Sequence, residues 1–508
     1  MARDRSARRE RRAARSGGLG QAPWRQPTNP YRPVEVLTPD QVEVIHRASL
    51  QILSETGIDF LHPEALAVLG RAGAAIDGER ARIAPDIVEK AVASAPSQFT
   101  LHARNPAHDL RIGGDAVVFC EVASAPNVSD LQGGRRPGNR RDYQDLLRLG
   151  QSFNVIHAFG GYPTEPVDLP PSTRHLDALA DMVRLTDKVF HAYALGAGRI
   201  LDALEIVRIA RSISADQLRR EPSLFTIVNT SSPLRLDGPM IEGLIEMARM
   251  NQVVVITPFT LAGAMAPASL AGALALQNAE ALAGITLTQL VSPGAPVMYG
   301  GFTSNVDMRS GSPAFGTPEY AKAAMAGGQL ARRYGIPYRS SNATTANAVD
   351  AQAAYEAEMS VWGAVMGGSN LVMHGAGWME GGLVASFEKL VVDVEILQMM
   401  AEFLTPIRVD EAELGLAAIA EVGPGGHFFG SPHTLERYEN AFYSPIISNW
   451  QNYETWKLAG GITAEQRAAE VVRQVLSDFE PPPLDDAIGA ELTDFVERRR
   501  SEGGVDAA

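Results

Sequence analysis

Sulfur is the first thing this sequence lacks. Its 508 residues include one cysteine, Cys120. An internal disulfide, a CxxC redox pair and a thiolate zinc site are all excluded, and a reducing, cytoplasmic setting is expected. No HExxH occurs and the ten histidines are scattered, so no tightly held catalytic metal is expected. No GxGxxG follows a strand candidate and no GxxxxGK[ST] is present, which removes the usual phosphate-cradling loops. Positive charge is also scarce. With 45 Lys+Arg against 59 Asp+Glu the net charge is −14, so the body has no general attraction for nucleic acid or an anionic membrane.

A membrane span is not expected either. Residues 250–279 carry no charge, which is longer than the roughly 20 residues a bilayer requires. The stretch opens on a β-branched run, however, and is broken by Pro258 and Pro267 before it turns alanine-rich, so it reads as a strand, a loop and a buried helix. At the N-terminus there is no apolar run of signal-peptide type. Residues 1–28 hold eight arginines against Asp4 and Glu10, and residues 1–30 read as a disordered basic tail.

What is present is a repeat. A helix-start signal at Thr38-Pro39-Asp40 opens an N-terminal helical region, 31–112, with a second short helix near Pro85. Eight β-rich runs follow, at 117–122, 155–159, 189–193, 224–229, 253–257, 296–299, 336–339 and 370–374. Each interval is long enough for a loop, a helix and a return, and helical patterns fill the gaps. This spacing predicts an α/β fold, a (β/α)8 TIM barrel over 113–405, with a doubly wound open sheet as the alternative. Residues 406–508 form a C-terminal capping region that ends in two polar helices.

In such a barrel the reacting groups sit at the C-terminal ends of the strands. Those ends hold Glu121, Tyr162, Tyr193, Asn229, Thr257-Pro258-Phe259, Tyr299-Gly-Gly-Phe302, Ser340-Ser341-Asn342 and His374-Gly-Ala-Gly-Trp378. They are rich in aromatics and neutral amides and poor in paired acids. That inventory suits a cationic ligand held by ring faces better than glycoside hydrolysis, which needs two facing carboxylates. Tyr299, Phe302, Phe259 and Trp378 are candidate cage residues, against the alternative that they pack the barrel mouth. His374 closes an apolar run and should point into the mouth. Glu380 either supplies negative charge near a cation or caps the next helix. His427 and His433 lack a third metal ligand, and packing is the preferred reading.

Four longer segments carry a resemblance: LTPDQVEVIHRASLQILSETGIDF from Leu37, YGGFTSNVDMRSGSPAFGTPEY from Tyr299, HGAGWMEGGL from His374 and GPGGHFFGSPHTLERY from Gly423. On these the chain resembles the trimethylamine methyltransferase family, in particular its members without pyrrolysine that act on quaternary amines. The resemblance implies a methyltransferase of one-carbon metabolism that moves a methyl group from glycine betaine or a related betaine to the cobalt of a separate corrinoid protein. Its cobalamin would be carried by that partner and not bound tightly by this chain. Catalytic roles are expected for His374 and Glu380. Asn229, Asn342, Arg309 and Tyr162 are expected to join the aromatics at the substrate. The expected assembly is a homo-oligomer. A noncatalytic betaine-binding barrel and a methyltransferase for another methylamine are the alternatives.

Overall fold

The computed structural model describes residues 19–439 and 441–505. Its centre is a closed parallel barrel of eight strands: β1 (Val118–Glu121), β2 (Ala158–Phe159), β3 (Val189–His191), β4 (Leu224–Thr230), β5 (Val253–Ala262), β6 (Val297–Gly300), β7 (Tyr338–Ser341) and β8 (Leu371–Ala376). Each pairs with the next in sequence, from Cys120 opposite Ala158 to Arg339 opposite Leu371. The ring closes where Leu371 of β8 lies opposite Val118 of β1. All eight strands fall on the runs read from the sequence, and the open-sheet alternative is excluded by this closure.

A long helix follows each strand: α1 (Arg140–Ser152), α2 (Arg174–Leu185), α3 (Ala197–Ala210), α4 (Gly238–Arg249), α5 (Leu270–Val291), α6 (Pro318–Tyr334), α7 (Ala351–Met366) and α8 (Phe387–Phe403), with a short helix Ala215–Arg220 added after α3. Period-2 alternation sorts the strand side chains. Val118, Cys120, Val189, Phe225, Val253, Val255, Met298, Leu371 and Met373 fill the barrel interior. Val254, Ile256, Val297 and Tyr299 face the helices instead. At Gly284 of α5 a Cβ would stand 2.7 Å from Ile256, so this glycine is what lets the helix lie flat on β5.

α5 is long and apolar enough to cross a membrane by length and composition, but 83% of its most apolar window is buried inside the protein. The N-terminal region accounts for that burial. Its helices Pro39–Gln51, Pro63–Arg71 and Pro85–Ala93 pack on the outer face of α5, and Asn278 donates to the Ser49 hydroxyl across the contact. The hairpin Gln98–Leu101/Leu110–Gly113 places Leu101, Leu110 and Ile112 against the interior cluster and plugs the N-terminal end of the barrel.

Residues 19–30 differ from the solvated tail expected of them. The Trp24 ring lies 5.0 Å from that of His108 and 6.0 Å from that of His157, and Thr28 bridges to Ala116. A single apolar ring outweighs the polar composition, because it finds an apolar plug to cover. Residues 1–18 lie outside the described residues. At the other end, Ala464–Asp478 packs on α8 and α1, and Asp486–Ser501 packs on α2 and α3, where Arg499 binds Asp202 and Arg500 binds Asp177.

Within α8, Lys389 and Asp393 form an ion pair with no exposed side-chain surface on either partner, and Asp393 also accepts the Gly377 amide proton at 2.8 Å. Breaking a buried pair leaves one charge stranded. Lys389→Met should therefore cost about 3–5 kcal/mol in urea unfolding. Adding Asp393→Asn removes the stranded charge while keeping an acceptor for Gly377, and should recover part of that loss.

Candidate active site

A cavity of about 460 Å³ opens at the C-terminal ends of the strands, where this fold class places its chemistry. Inward alternation delivers its walls: His191 from β3 and Tyr193 two residues beyond it, Ile227 and Asn229 from β4, Thr257 and Phe259 from β5, Arg339 from β7 and Met373 from β8. His374 joins them by a different route. Pairing of β8 with β1 slips between Val372 and Ala376, and His374 adopts a left-handed backbone, φ 54°. This bulge turns two successive side chains, Met373 and His374, to the same cavity. A non-glycine residue held at positive φ marks a position that the surroundings over-determine.

The chain then reverses through Gly377 and brings Trp378 back over the opening, with its ring centroid 4.0 Å from that of His374. Gly382 sits beneath that indole at φ 102°, where a Cβ would be 2.6 Å from the ring. Beyond the mouth β5 continues as Phe259–Ala262 and pairs with Phe302–Val306. The extension stacks Phe259 on Phe302 at 5.3 Å, and Phe302 meets Trp378 edge-on at 6.2 Å. Three aromatic faces thus form one wall.

The polar groups are few and unusual. Arg339 is buried, its Cζ 5.3 Å from the Phe302 ring centroid, and its best contact is a long 3.4 Å hydrogen bond to the Gly301 carbonyl. Its Nε has no partner among the described residues, and the same holds for His191 Nδ1, His374 Nδ1, Thr257 Oγ1 and Trp378 Nε1. His191 Nε2 accepts the Ile227 amide proton at 3.0 Å, which puts the proton of the neutral ring on Nδ1 as a free donor. Burial pushes His191 down to about 3 and His374 well below its ordinary value, with Arg339 adding to both, so the two rings are neutral at pH 7. Burial also lowers Arg339, to about 10, which leaves it charged. No carboxylate lines the cavity. Its formal charge is the single positive charge of Arg339.

Of the residues expected at the substrate, His374, Phe302, Trp378, Phe259 and Asn229 line this cavity. Five others are elsewhere. Tyr299 is one residue out of phase with the inward set: its hydroxyl donates to Asn278 in the helix layer and its ring lies 6.0 Å from that of Tyr334. Asn342 is out of phase with Arg339 in the same way and donates to the Gly375 carbonyl. Tyr162 packs edge-on between Tyr143 and Tyr193, one layer behind the wall. Arg309 is exposed in the loop capped by Asp307. Glu380 binds Arg135 at 3.0 Å and does not line the cavity, so its carboxylate is committed to the rim hairpin. Glu121 turns toward α1, where burial raises its pKa.

Arg339 and His191 were not among the residues read at the strand ends, and Thr257 and Tyr193 were named there without being expected as substrate contacts. The alternation that places Met298 inward would have selected them. The His374 bulge left no sequence signal beyond the glycines at 375 and 377. Among the described residues no group of three metal-ligating side chains occurs, and His433 Nε2 donates to the Ala412 carbonyl.

The neutral histidines make stability depend on pH. His157, beneath the barrel, is likewise held at about 3 by burial. For a histidine whose folded pKa is depressed, the unfolded chain binds more protons below about 6.5, so stability is full above that value and is lost as pH falls toward 3. Each such ring adds about 1.4 kcal/mol per pH unit to the slope. The urea midpoint should fall steadily from pH 6.5 to 5, and His191→Asn should make that decline shallower.

Comparison with known proteins agrees with this geometry. A sequence profile of the family described as trimethylamine methyltransferase matches residues 2–504. The chain is 39% identical over 470 residues to the glycine betaine methyltransferase of Desulfitobacterium hafniense strain Y51, covering 92% of this chain and 98% of that protein. It is 29% identical over 472 residues to a trimethylamine methyltransferase of D. hafniense strain DCB-2, with 92% and 94% covered. Among solved structures, the monomethylamine methyltransferase of Methanosarcina barkeri matches with a TM-score of 0.50 at 10% identity over 88% of both chains, a likeness of fold.

Proposed function

The chain belongs to the trimethylamine methyltransferase family, and from that premise we propose that it demethylates a betaine, with glycine betaine the first candidate, and passes the methyl group to a corrinoid carried by a separate protein. One observation carries the choice of substrate: the cavity pairs an aromatic wall with a single buried cation and no carboxylate. A simple methylammonium ion brings a positive charge to a positive cavity. A betaine brings both signs, and its carboxylate answers Arg339.

In this reading Arg339, the His191 Nδ1–H and the Thr257 hydroxyl donate to the substrate carboxylate. Charge-assisted, bidentate contacts of this kind are the strong ones. Phe259, Phe302 and Trp378 offer ring faces to the trimethylammonium group, which has no N–H to donate. Held at both ends, the substrate is oriented with a methyl group toward the mouth. The reduced corrinoid supplies the nucleophile that takes this methyl. The N–CH3 bond breaks with its electron pair remaining on nitrogen, so a neutral tertiary amine leaves. Quaternary nitrogen carries no proton, so no general base is required. His374 serves as a neutral polar surface against the substrate, not as a proton acceptor.

Two measurements test this. Thermal stabilisation across a betaine panel should be strong for at least one betaine and absent for trimethylammonium, because a ligand of the native state stabilises by mass action. Arg339→Gln should weaken that betaine by about 10–150-fold, the worth of a charged hydrogen bond. Stabilisation by trimethylammonium alone, or an Arg339→Gln chain that binds betaine normally, would remove the carboxylate anchor.

The cage is tested separately. Phe302→Leu should weaken glycine betaine more than 3,3-dimethylbutanoate, which keeps the shape and the carboxylate but replaces N⁺ by carbon. Equal losses would mean that the ring contributes area only. With a reduced corrinoid protein present, the absorbance change that accompanies methylation should require the betaine.

A further inference from the structure

Between the end of α8 and the helix Ala464–Asp478 the chain leaves the barrel. Residues 406–442 contain three short helices, Glu411–Leu414, Leu416–Val422 and Pro432–Arg437, of 4, 7 and 6 residues. Among the described residues, every hydrogen bond and ion pair of 406–442 stays inside the segment, such as His433 to the Ala412 carbonyl and Arg408 to Asp410. The chain is caught again from Tyr443 to Ser448: Tyr443, Ile446, Ile447 and Ser448 donate to Glu395 of α8, and the Ser444 carbonyl accepts from Gln398. Helices this short do not hold themselves in water. A surface must support them, and the chain's own body makes no polar contact with them.

The segment also exposes what a soluble surface hides. Ile407 is 88% exposed, Phe429 84% and Phe442 90%; further along, Trp450 is 72% and Leu458 89%. Whole aromatic side chains bury about 150–250 Å² each, so the exposed fractions of Phe428, Phe429, Tyr438, Phe442, Trp450 and Tyr453 leave on the order of 800 Å² of ring surface in water. That matches one partner's share of a standard interface, about 800 Å².

We propose that residues 406–442, with the exposed stretch 449–458 that follows the anchor on α8, form an arm that docks on a second copy of this chain. Two features favour a second copy over a corrinoid protein. Permanent interfaces resemble a domain core cut in half, whereas a partner that must leave at every turnover uses a smaller and more polar face. The arm is also rooted at the C-terminal end of α8. Barrel helices run opposite to the strands, so that root lies at the end of the barrel away from the cavity, where Arg25 donates to Thr405. The mouth stays free for its own partner.

Sedimentation equilibrium of the full chain should give a multiple of 54.4 kDa. Phe429→Glu combined with Phe442→Glu should reduce the mass to a single chain while the betaine-induced thermal shift persists. Should that variant misfold, hydrogen exchange on the unaltered chain decides: amides of 406–442 should be protected when concentrated and lose protection on dilution. A single-chain mass for the unaltered protein, an assembly that survives both substitutions, or exchange in 406–442 that ignores concentration would each overturn the proposal. So would loss of corrinoid-protein methylation in the double variant with its mass unchanged, which would assign the arm to that partner.

Discussion

A guanidinium buried at the mouth of an apolar barrel, with no carboxylate lining the cavity beside it, is the constraint on which the site depends. Removing a charge from water costs several kcal/mol, and proteins ordinarily answer with a paired acid. Arg339 instead has the face of Phe302 and a long contact to the Gly301 carbonyl. Burial, together with its field, keeps His191 and His374 neutral, so that the cavity does not accumulate further positive charge. Unpaired donors that converge on an aromatic pocket are unfavourable for the free protein alone. They are favourable once an anion arrives.

The acidic groups near the site show how that arrangement is maintained. Glu280 of α5 accepts from Thr230, Ser232 and the Leu234 amide, shaping the loop after β4 that carries Asn229. Glu356 of α7 accepts from Thr344, Thr345 and the Ala346 amide and shapes the loop after β7. Asp393 of α8 is held by Lys389 and by the Gly377 amide, within the turn that carries His374 and Trp378. These three carboxylates are therefore committed in the helix layer, and Glu121, which turns toward α1, has its pKa raised by burial. The same bonds that fix the loops keep negative charge out of the cavity.

Much of the framework was legible because period and spacing are local properties. Helix α6 begins at Pro318 and ends at Tyr334, both boundaries marked in sequence by a Thr-Pro start and a following glycine. The eight strands stood out as β-branched runs. Side-chain direction was less legible, since it depends on the phase of each strand. Tyr299 and Asn342 lie on the right strands with the wrong phase, and Arg339 was passed over for the residues that follow it. His374 was legible for a reason that does not generalise: a bulge turns it inward beside Met373, where strict alternation would have sent it out. Residues 19–30 were misjudged because composition cannot register that one tryptophan, Trp24, will find a plug to cover. The middle N-terminal helix, Pro63–Arg71, and the plugging hairpin carry too few residues for their pattern to rise above the surrounding loop.

In the proposed complex Arg339 would bear on the reaction as well as on recognition. In a bound betaine the ammonium nitrogen would lie about 6 Å from a guanidinium that grips the carboxylate, and at an effective dielectric of 20 two positive charges at that distance repel by about 3 kcal/mol. The carboxylate between them more than repays this on binding, so the zwitterion is held. Transfer of the methyl group removes the charge on nitrogen and with it the repulsion, while the grip on the carboxylate is unchanged. An interaction that is unfavourable in the ground state and relieved along the reaction coordinate raises the rate and not only the affinity. An acid placed beside the ammonium would do the opposite, stabilising the charge that must be lost. In the proposed complex the aromatic wall of Phe259, Phe302 and Trp378 would be the compromise, attracting the cation enough to orient it through ring quadrupoles worth less than an ion pair. The lack of carboxylates in the cavity and the saturation of Glu280, Glu356 and Asp393 behind it are thus two sides of one requirement.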